Sequence, residues 1–207
     1  MSSQYGEHSY ILDYFGGRVG RFLDIGAFDG VTFSNTRPLA DLGWSGVCVE
    51  PSPPAFCALM RAYEGNDKVQ LVNAGVRAAG GIGLTRFYSN TVDAHASDML
   101  SSFSEQHVQK CAAYPFREIW IPAIGWDSMI DMVDEVDRYT HDFINIDVEG
   151  TNLEVLASMP FHLFLPQMIC IEMDPADKVP AMSKILSDQG LSEQRMIGGN
   201  LLAARPK

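Results

Sequence analysis

Short apolar runs rich in β-branched residues alternate with helical patterns along the chain, and this alternation limits the fold more than any other feature. Four such runs stand out: Arg21–Ile25, Gly46–Glu50, Val69–Asn73 and Phe143–Asp147. Residues of helical composition follow the first two. A strand followed by a helix and then another strand is typical of right-handed βαβ units. The pattern therefore predicts an α/β fold with a parallel sheet.

The C-terminal third extends this sheet. Met168–Glu172 has the composition of a further strand, and two last apolar runs flank Gly198-Gly199-Asn200, which is a hairpin turn signal. The fold class that we predict is a three-layer, doubly wound, mostly parallel seven-stranded sheet that closes with a C-terminal antiparallel hairpin.

The length of 207 residues and the 46% hydrophobic content fit a single domain over residues 1–207. Within it we expect an N-terminal helix at about 4–15. Weak periodicity between Ser89 and Glu118 indicates an insertion or lid at about 89–118.

Charge and hydropathy exclude several classes of partner. The net charge of −11 and the scattered basic residues disfavour a nucleic-acid ligand, which usually needs a concentrated basic surface. Neither a membrane span nor a secretory signal is indicated by the hydropathy pattern. We expect a cytoplasmic protein that acts on a small or neutral molecule.

The stretch that follows the first strand combines glycines with carboxylates. In Asp24-Ile25-Gly26-Ala27-Phe28-Asp29-Gly30, Phe28 takes the place of the middle glycine that admits a pyrophosphate in dinucleotide-binding proteins. Asp24 and Asp29 would also repel phosphate. A phosphate-free, positively charged nucleoside fits better, and S-adenosylmethionine is such a ligand.

Glu50 stands at the end of the second strand, where an acid that binds ribose hydroxyls is expected about 20 residues beyond the glycines. Pro51-Ser52 would then turn the chain beside the nucleoside. The alternative is that Glu50 only caps the helix that starts near Ser52.

These segments carry a family resemblance. FLDIGAFDGVTFSNT, GWSGVCVEPSP and FINIDVEGTNLEVL resemble the FkbM family of S-adenosylmethionine-dependent methyltransferases, and SQYGEHSYIL is similar to the opening of that family. The resemblance implies a class I methyltransferase fold and O-methylation, often of sugars or natural-product hydroxyls. It also assigns to the cofactor site Gln4, Asn35, Ala74, Ser102 and Asp147, beside Asp24, Gly26, Phe28, Asp29, Gly30, Glu50, Pro51 and Ser52.

Methyl transfer to a hydroxyl requires positioning of the acceptor and a group that takes its proton. Asp147 and Glu149 follow the fourth strand, so they are the predicted catalytic residues, although either could instead cap the next helix. His107 is the third candidate, and His95 and His141 are weaker ones. Trp44 and Trp126 are expected to pack in the core.

A metal ion is an open alternative at this position. Asp147, Glu149, Glu172 and Asp174 together could hold Mg²⁺, which prefers carboxylate and water ligands.

Two rival functions remain at this stage. One is an NAD-dependent oxidoreductase, which Phe28 disfavours. The other is a non-catalytic scaffold or nucleoside-binding module with a methyltransferase fold. For an active enzyme, the acceptor is expected to be a small-molecule or glycan hydroxyl, the product S-adenosylhomocysteine, and glycosyltransferases are candidate partners, either fused or separate.

Overall fold

The computed structural model describes residues 3–78, 80–90, 98–132 and 141–207. Its strands, in chain order, are β1 Arg21–Ile25, β2 Ser45–Val49, β3 Val69–Val72, β4 Gly75–Val76, β5 Gly83–Ser89, β6 Arg117–Ile124, β7 Phe143–Ile146, β8 Met168–Glu172, β9 Glu193–Ile197 and β10 Asn200–Ala204.

The α-helices, in chain order, are α1 Glu7–Phe15, α2 Arg37–Asp41, α3 Pro53–Ala62, α4 Glu105–Lys110, α5 Trp126–Met132, α6 Asn152–Ala157, α7 Phe161–Phe164 and α8 Val179–Asp188. Prolines occupy the first turns of α2, α3 and α8, where the missing N–H costs no hydrogen bond. Short 3₁₀ turns cover Asp98–Leu100 and Ala176–Lys178.

Seven strands form the main sheet in the order β3-β2-β1-β7-β8-β10-β9. All pairs are parallel except those of β10 with β8 and β9. The predicted doubly wound sheet and its closing antiparallel hairpin are therefore confirmed. The winding direction reverses between β1 and β7, so the ligand-binding crevice of such a sheet lies beyond the carboxyl ends of these two strands.

Each face of the main sheet carries its own hydrophobic core. Leu23 and Ile25 of β1 face one core with α5, α6 and α8. Phe22 faces the other core, which contains residues of α1, α2 and α3. Trp44 and Trp126 are both buried, with their indole N–H groups bonded to the carbonyls of Arg18 and Val155, which confirms that both pack in the protein interior.

A second sheet of three strands, in the order β4-β6-β5, lies between β3 and β7 in sequence, and the sequence analysis did not predict it. Its long antiparallel pair joins Gly83 to Ala123 and Ser89 to Arg117. Apolar residues occupy its exposed positions too, namely Leu84 of β5 and Trp120 of β6. Because this weakens the alternation of polar and apolar residues, the strand period was hidden.

The predicted insertion at 89–118 connects the two long strands of this second sheet. Ser89 ends β5, Arg117 begins β6, and α4 lies between them. Residues 91–97, and with them His95, lie outside the described residues. Within the described ranges, no helix is long and apolar enough to cross a membrane.

Candidate active site

Gly26 is fixed by its close approach to the neighbouring strand. Its φ is +85°, and a Cβ atom there would lie 1.7 Å from the backbone oxygen of Asp147. Its N–H donates to the carbonyl of Val49 at 2.9 Å. Only glycine fits, so the turn after β1 brings the ends of β1, β2 and β7 together.

Glu50 fastens the glycine turn to the start of α3. Its carboxylate accepts hydrogen bonds from the backbone N–H of Phe28 at 2.8 Å and of Ser52 at 2.7 Å. Each carboxylate oxygen can accept a second hydrogen bond. Ribose binding and helix capping by Glu50 are therefore both compatible with the geometry, because a carboxylate that accepts from Ser52 can also accept hydrogen bonds from two ribose hydroxyls.

An inner cavity of about 80 Å³ lies beyond the ends of β1, β2 and β7. Its apolar wall comes from Ile25, Val49, Val76 and Phe87. Seven residues that the sequence assigned to cofactor binding line it: Gly26, Phe28, Glu50, Pro51, Ala74, Ser102 and Asp147. The remaining lining residues are Met99, Ser101, Phe103, Val148 and Glu149.

An outer cavity of about 730 Å³ adjoins the inner one. Gln4 and Asn35, two further residues assigned to the cofactor, line this cavity and not the inner one. Asp147, Glu149 and Glu172 form part of its wall, together with Tyr5, Phe33, Asn90, Met99, Leu100, Tyr114, Pro115, Gly199 and Asn200. Asp147 and Glu149 therefore border both cavities.

Four residues assigned to the cofactor are not among the described residues that line either cavity. Asp24 is buried and accepts hydrogen bonds from Thr36 and Asn145, so it joins α2 to the two central strands. Burial raises the pKa of its carboxyl group, and these two hydrogen bonds lower it.

The other three, Asp29, Gly30 and Ser52, have local structural contacts. Asp29 accepts from the N–H groups of residues 31 and 32 and so closes a turn. Gly30 packs closely against α3, because a Cβ atom added to Gly30 would lie 2.6 Å from the side chain of Leu59. Ser52 donates its N–H to Glu50.

Carboxyl groups cluster at the ends of β7 and β8. One oxygen from each of Asp147, Glu149 and Glu172 lies within 4.8 Å of the others. Burial first, then the charges of Glu172 and Glu149, raise the pKa of Asp147 well above its ordinary value. Burial first, then Glu172 and Asp174, raise the pKa of Glu149 to about 9.

Two neighbouring groups bear on this cluster. Asn152 donates to Glu172 at 3.0 Å and accepts from the N–H of Val148 at 2.8 Å, which holds the end of β7 to β8. Ser102 donates to the backbone oxygen of Glu149, which ties the segment after residue 98 to the cluster.

His107 lies behind the carboxyl cluster. Its side chain is 7% exposed, and its ring nitrogens are 3.7 Å from Glu149 and 3.6 Å from Asp174. Together with these two acids it forms a second group of potential metal ligands. His107 does not line either cavity among the described residues. His141 is buried beside the ring of Phe164, just before β7, and is not among the described lining residues of either cavity.

The sequence did not single out four polar residues that the fold brings to this region: Asn90, Asn145, Asn152 and Thr36. Asn145 and Asn152 flank the acids of the FINIDVEGTN stretch, and their position beside a strand end is the signal that could have identified them. Asn90 lies at the end of β5, in a region where no strand was predicted, so no local signal pointed to it.

Comparison with known proteins gives a family for this architecture. The Methyltransferase FkbM domain matches residues 24–191. No curated protein sequence matches the chain. Solved structures that resemble it include the methyltransferase FkbM from Methylobacillus flagellatus KT, with a TM-score of 0.52 and 13% identity, over 90% of this chain and 43% of that one.

Two further methyltransferase structures share the fold. The METTL16 MTase domain has a TM-score of 0.55 and 13% identity, over 97% of this chain and 67% of that one. Ribosomal protein L11 methylase from Lactobacillus delbrueckii subsp. bulgaricus has a TM-score of 0.50 and 11% identity, over 97% of this chain and 77% of that one. The chain spans less than half of the Methylobacillus flagellatus structure. Because the family match covers most of its length, the chain belongs to the FkbM methyltransferase domain family.

Proposed function

We propose that this domain transfers a methyl group from S-adenosylmethionine to a hydroxyl group of a small molecule, in particular of a sugar or glycan. The observation that carries the proposal is that Asp147 and Glu149 border both cavities. Membership of a methyltransferase family implies use of this cofactor. A donor in one cavity and an acceptor in the other would meet at these two carboxyl groups.

The inner cavity fits S-adenosylmethionine in its chemistry. Gly26 leaves its backbone open to close approach, and the Glu50 carboxylate can accept hydrogen bonds from the ribose. Ile25, Val49 and Val76 offer an apolar wall to adenine. No lysine or arginine is among the described lining residues, in keeping with a cofactor that has no phosphate. When bound, the cofactor supplies an activated methyl group.

Asp147 and Glu149 act on the acceptor in this proposal. A carboxyl group at the junction of the cavities can orient an acceptor hydroxyl and take its proton as the new bond forms. Once it is ionised, a carboxylate whose pKa is raised is a stronger base than an exposed one. His107, next to Glu149, can support the charge of that carboxylate from the protein side.

A divalent cation is the alternative way to lower the pKa of the acceptor hydroxyl. Asp147, Glu149 and Glu172 offer three carboxylate oxygens close enough together to share one ion. Asp174 belongs to the neighbouring group, which it forms with Glu149 and His107. Mg²⁺ favours such ligands. Chelation separates this alternative from direct proton transfer.

A glycan acceptor would also connect this domain with glycan assembly. Glycosyltransferases would then supply the acceptor, either as separate proteins or as domains fused to this one.

The proposal is tested with S-adenosylmethionine that carries a deuterated methyl group, offered together with a panel of alcohols, sugars and oligosaccharides. We expect a labelled methyl ether in one acceptor class, detected by mass spectrometry, and S-adenosylhomocysteine in equal amount. Label on nitrogen or carbon, with none on oxygen, would overturn the O-methyl assignment.

A further inference from the structure

Two buried amide groups in the wall of the outer cavity lack partners. Asn90 is fully buried, and neither its Oδ1 nor its Nδ2 has a hydrogen-bond partner in the part of the chain that the structure describes. The Oδ1 of Asn35 also lacks a hydrogen-bond partner among the described residues, while its Nδ2 donates to Asn145 at 3.1 Å. Both residues border the outer cavity.

An unpartnered buried amide is unfavourable, and native proteins rarely keep one without a use. The backbone N–H of Asn90 is fixed by Ser101 at 2.9 Å, so the residue is held at the end of β5. Its side chain offers one acceptor and one donor side by side. Two neighbouring hydroxyl groups match this pair, because one can donate to Oδ1 while the other accepts from Nδ2.

Aromatic rings line the same cavity. Tyr5, Phe33 and Tyr114 belong to its wall, and each is about half exposed. The ring of Tyr5 lies over the closing hairpin, where a Cβ atom on Gly198 would come within 2.0 Å of it. A sugar ring presents apolar C–H faces and polar edges, so aromatic surfaces and amides together suit it.

The side chains of the outer cavity disfavour anionic acceptors. Asp147, Glu149 and Glu172 belong to its wall, and its described lining residues include no lysine, arginine or histidine. A phosphate or carboxylate group on the acceptor would lose its water there and find no cation to pair with, whichever of the three carboxyl groups are ionised.

We propose that the outer cavity binds a neutral, polyhydroxylated acceptor, and that Asn90 is a specificity-determining residue that binds two neighbouring hydroxyls of it. The volume of the outer cavity, about 730 Å³, lies in the range of pockets that enclose a whole small ligand. The proposal rests on the proposed function, since it takes the outer cavity as the acceptor side of a methyl-transfer site.

The test measures sugar binding directly by saturation-transfer NMR, with S-adenosylhomocysteine present. The probes are a library of neutral mono- to trisaccharides and, for each, a counterpart that carries a uronic acid or a phosphate. We expect neutral members to bind and their anionic counterparts to bind at least about tenfold more weakly. Equal or tighter binding of the anionic counterparts would overturn the proposal, as would no binding by any neutral member.

Asn90→Leu removes both polar atoms at similar size. Asn66→Leu is the matched control, because the Asn66 side chain accepts from the N–H of Lys68 in its own turn and is not among the described lining residues of either cavity. We expect Asn90→Leu to weaken binding of the best neutral sugar about tenfold or more. Asn66→Leu should leave it unchanged. If circular dichroism shows that Asn90→Leu is unfolded, Asn90→Ala replaces it.

The two proposals fail in different ways. Unchanged sugar binding in folded Asn90→Leu, with wild-type affinity for S-adenosylmethionine in both proteins, overturns the role of Asn90 alone. No binding of S-adenosylmethionine by the wild type overturns the proposed function itself.

Discussion

Glu50 has two tasks in this account, which a single substitution can separate. Its carboxylate already accepts hydrogen bonds from Phe28 and Ser52, and in the proposed complex it would also accept from the ribose hydroxyls. Glu50→Gln keeps one acceptor oxygen and removes the charge. We expect cofactor binding to weaken by about 1.5 to 3 kcal/mol, the range for hydrogen bonds to a charged group, as measured by calorimetry.

Glu64→Gln, at an exposed position after α3, is the control for this measurement. Unchanged affinity in a folded Glu50→Gln variant would leave Glu50 with its structural task only.

Asp147 should matter to the chemical step more than to cofactor capture. Asp147→Asn keeps the shape of the side chain and removes the charge at the junction of the two cavities. We expect turnover to fall by roughly 10²-fold or more, the usual scale for loss of an acid–base group, with little change in S-adenosylmethionine affinity. Asp127→Asn, on the exposed side of α5, is the matched control.

Near-normal turnover by Asp147→Asn would move the proton-transfer role to Glu149 or His107. Addition of EDTA to the wild type then divides the remaining roles of Asp147. Activity that is lost and restored by Mg²⁺ indicates a metal site, whereas unchanged activity indicates direct action of the carboxylate.

Glu149 should make the stability of the protein depend on pH. Its pKa is about 9 in the folded state against an ordinary value of 4.5, so between these values the folded state holds a proton that the unfolded state has lost. The free energy of unfolding must therefore fall as pH rises through this window. In EDTA, we expect Glu149→Gln to flatten this fall and to raise the stability at pH 9 by at least about 1 kcal/mol.

Chemical denaturation at several pH values measures this effect, with Glu193→Gln, on the exposed side of β9, as the control. Parallel pH profiles for the wild type and Glu149→Gln would contradict the assignment.

The sequence identified those site residues whose signal is local. Gly26, Glu50 and Asp147 each follow directly after a strand, and Asp147 opens the D-V-E-G motif. The adjacency of β1, β2 and β7 in the sheet therefore brings them together. Asn90 could not be found in this way, because it reaches the cavity through the β5–β6 pair, which the sequence analysis did not predict. Asp24 shows the opposite case: it lies in β1 just before the glycine turn, yet its side chain accepts hydrogen bonds from Thr36 and Asn145 and lines neither cavity among the described residues.

Among the elements, the segment from residue 98 to α4 controls the size of the inner cavity. Met99, Ser101, Ser102 and Phe103 form one wall of it. Phe103 packs against Phe87 with ring centroids 4.9 Å apart, and it fills the space beside Gly75. The volume of about 80 Å³ is below the range of pockets for whole ligands, so we expect this wall to move when a nucleoside binds.

Hydrogen exchange should report this movement. We expect amides of residues 98–110 to exchange more slowly when S-adenosylhomocysteine and an acceptor are both bound, because the wall then packs on ligands. Helix α8, which packs against α6 and β10 and contributes no described residue to either cavity, serves as the internal reference. Identical exchange of residues 98–110 with and without ligands would contradict a lid role for this segment.

At this scale the sequence predicted regular elements well and the insertion poorly. The central strands β1, β2 and β7 are almost entirely buried apolar runs. Prolines mark the first turns of α2, α3 and α8. The strands β5 and β6 carry large apolar residues at exposed positions, so neither period was visible. Their pairing depends on contacts between strands that are distant in sequence, which no local pattern encodes.

In the whole molecule, the strand order places two carboxyl groups, those of Asp147 and Glu149, on the border of both cavities. The ends of β1 and β2 form the inner cavity, and the N-terminal segment closes part of the outer one against the hairpin of β9 and β10. Glu7 secures this closure, because it is buried and accepts a hydrogen bond from Asn200 at 2.7 Å. The seven-stranded sheet and its closing hairpin could be predicted, whereas the two-cavity arrangement required the second sheet.

The central claim is that the inner cavity is built for a phosphate-free nucleoside cofactor. Calorimetric titration of the full chain with S-adenosylmethionine, S-adenosylhomocysteine and NAD tests it most directly. The account predicts binding of the first two in the micromolar range and none of NAD, because the described wall of the inner cavity has carboxylates and no cation for a pyrophosphate. Micromolar binding of NAD, or no binding of either adenosyl compound, would contradict it.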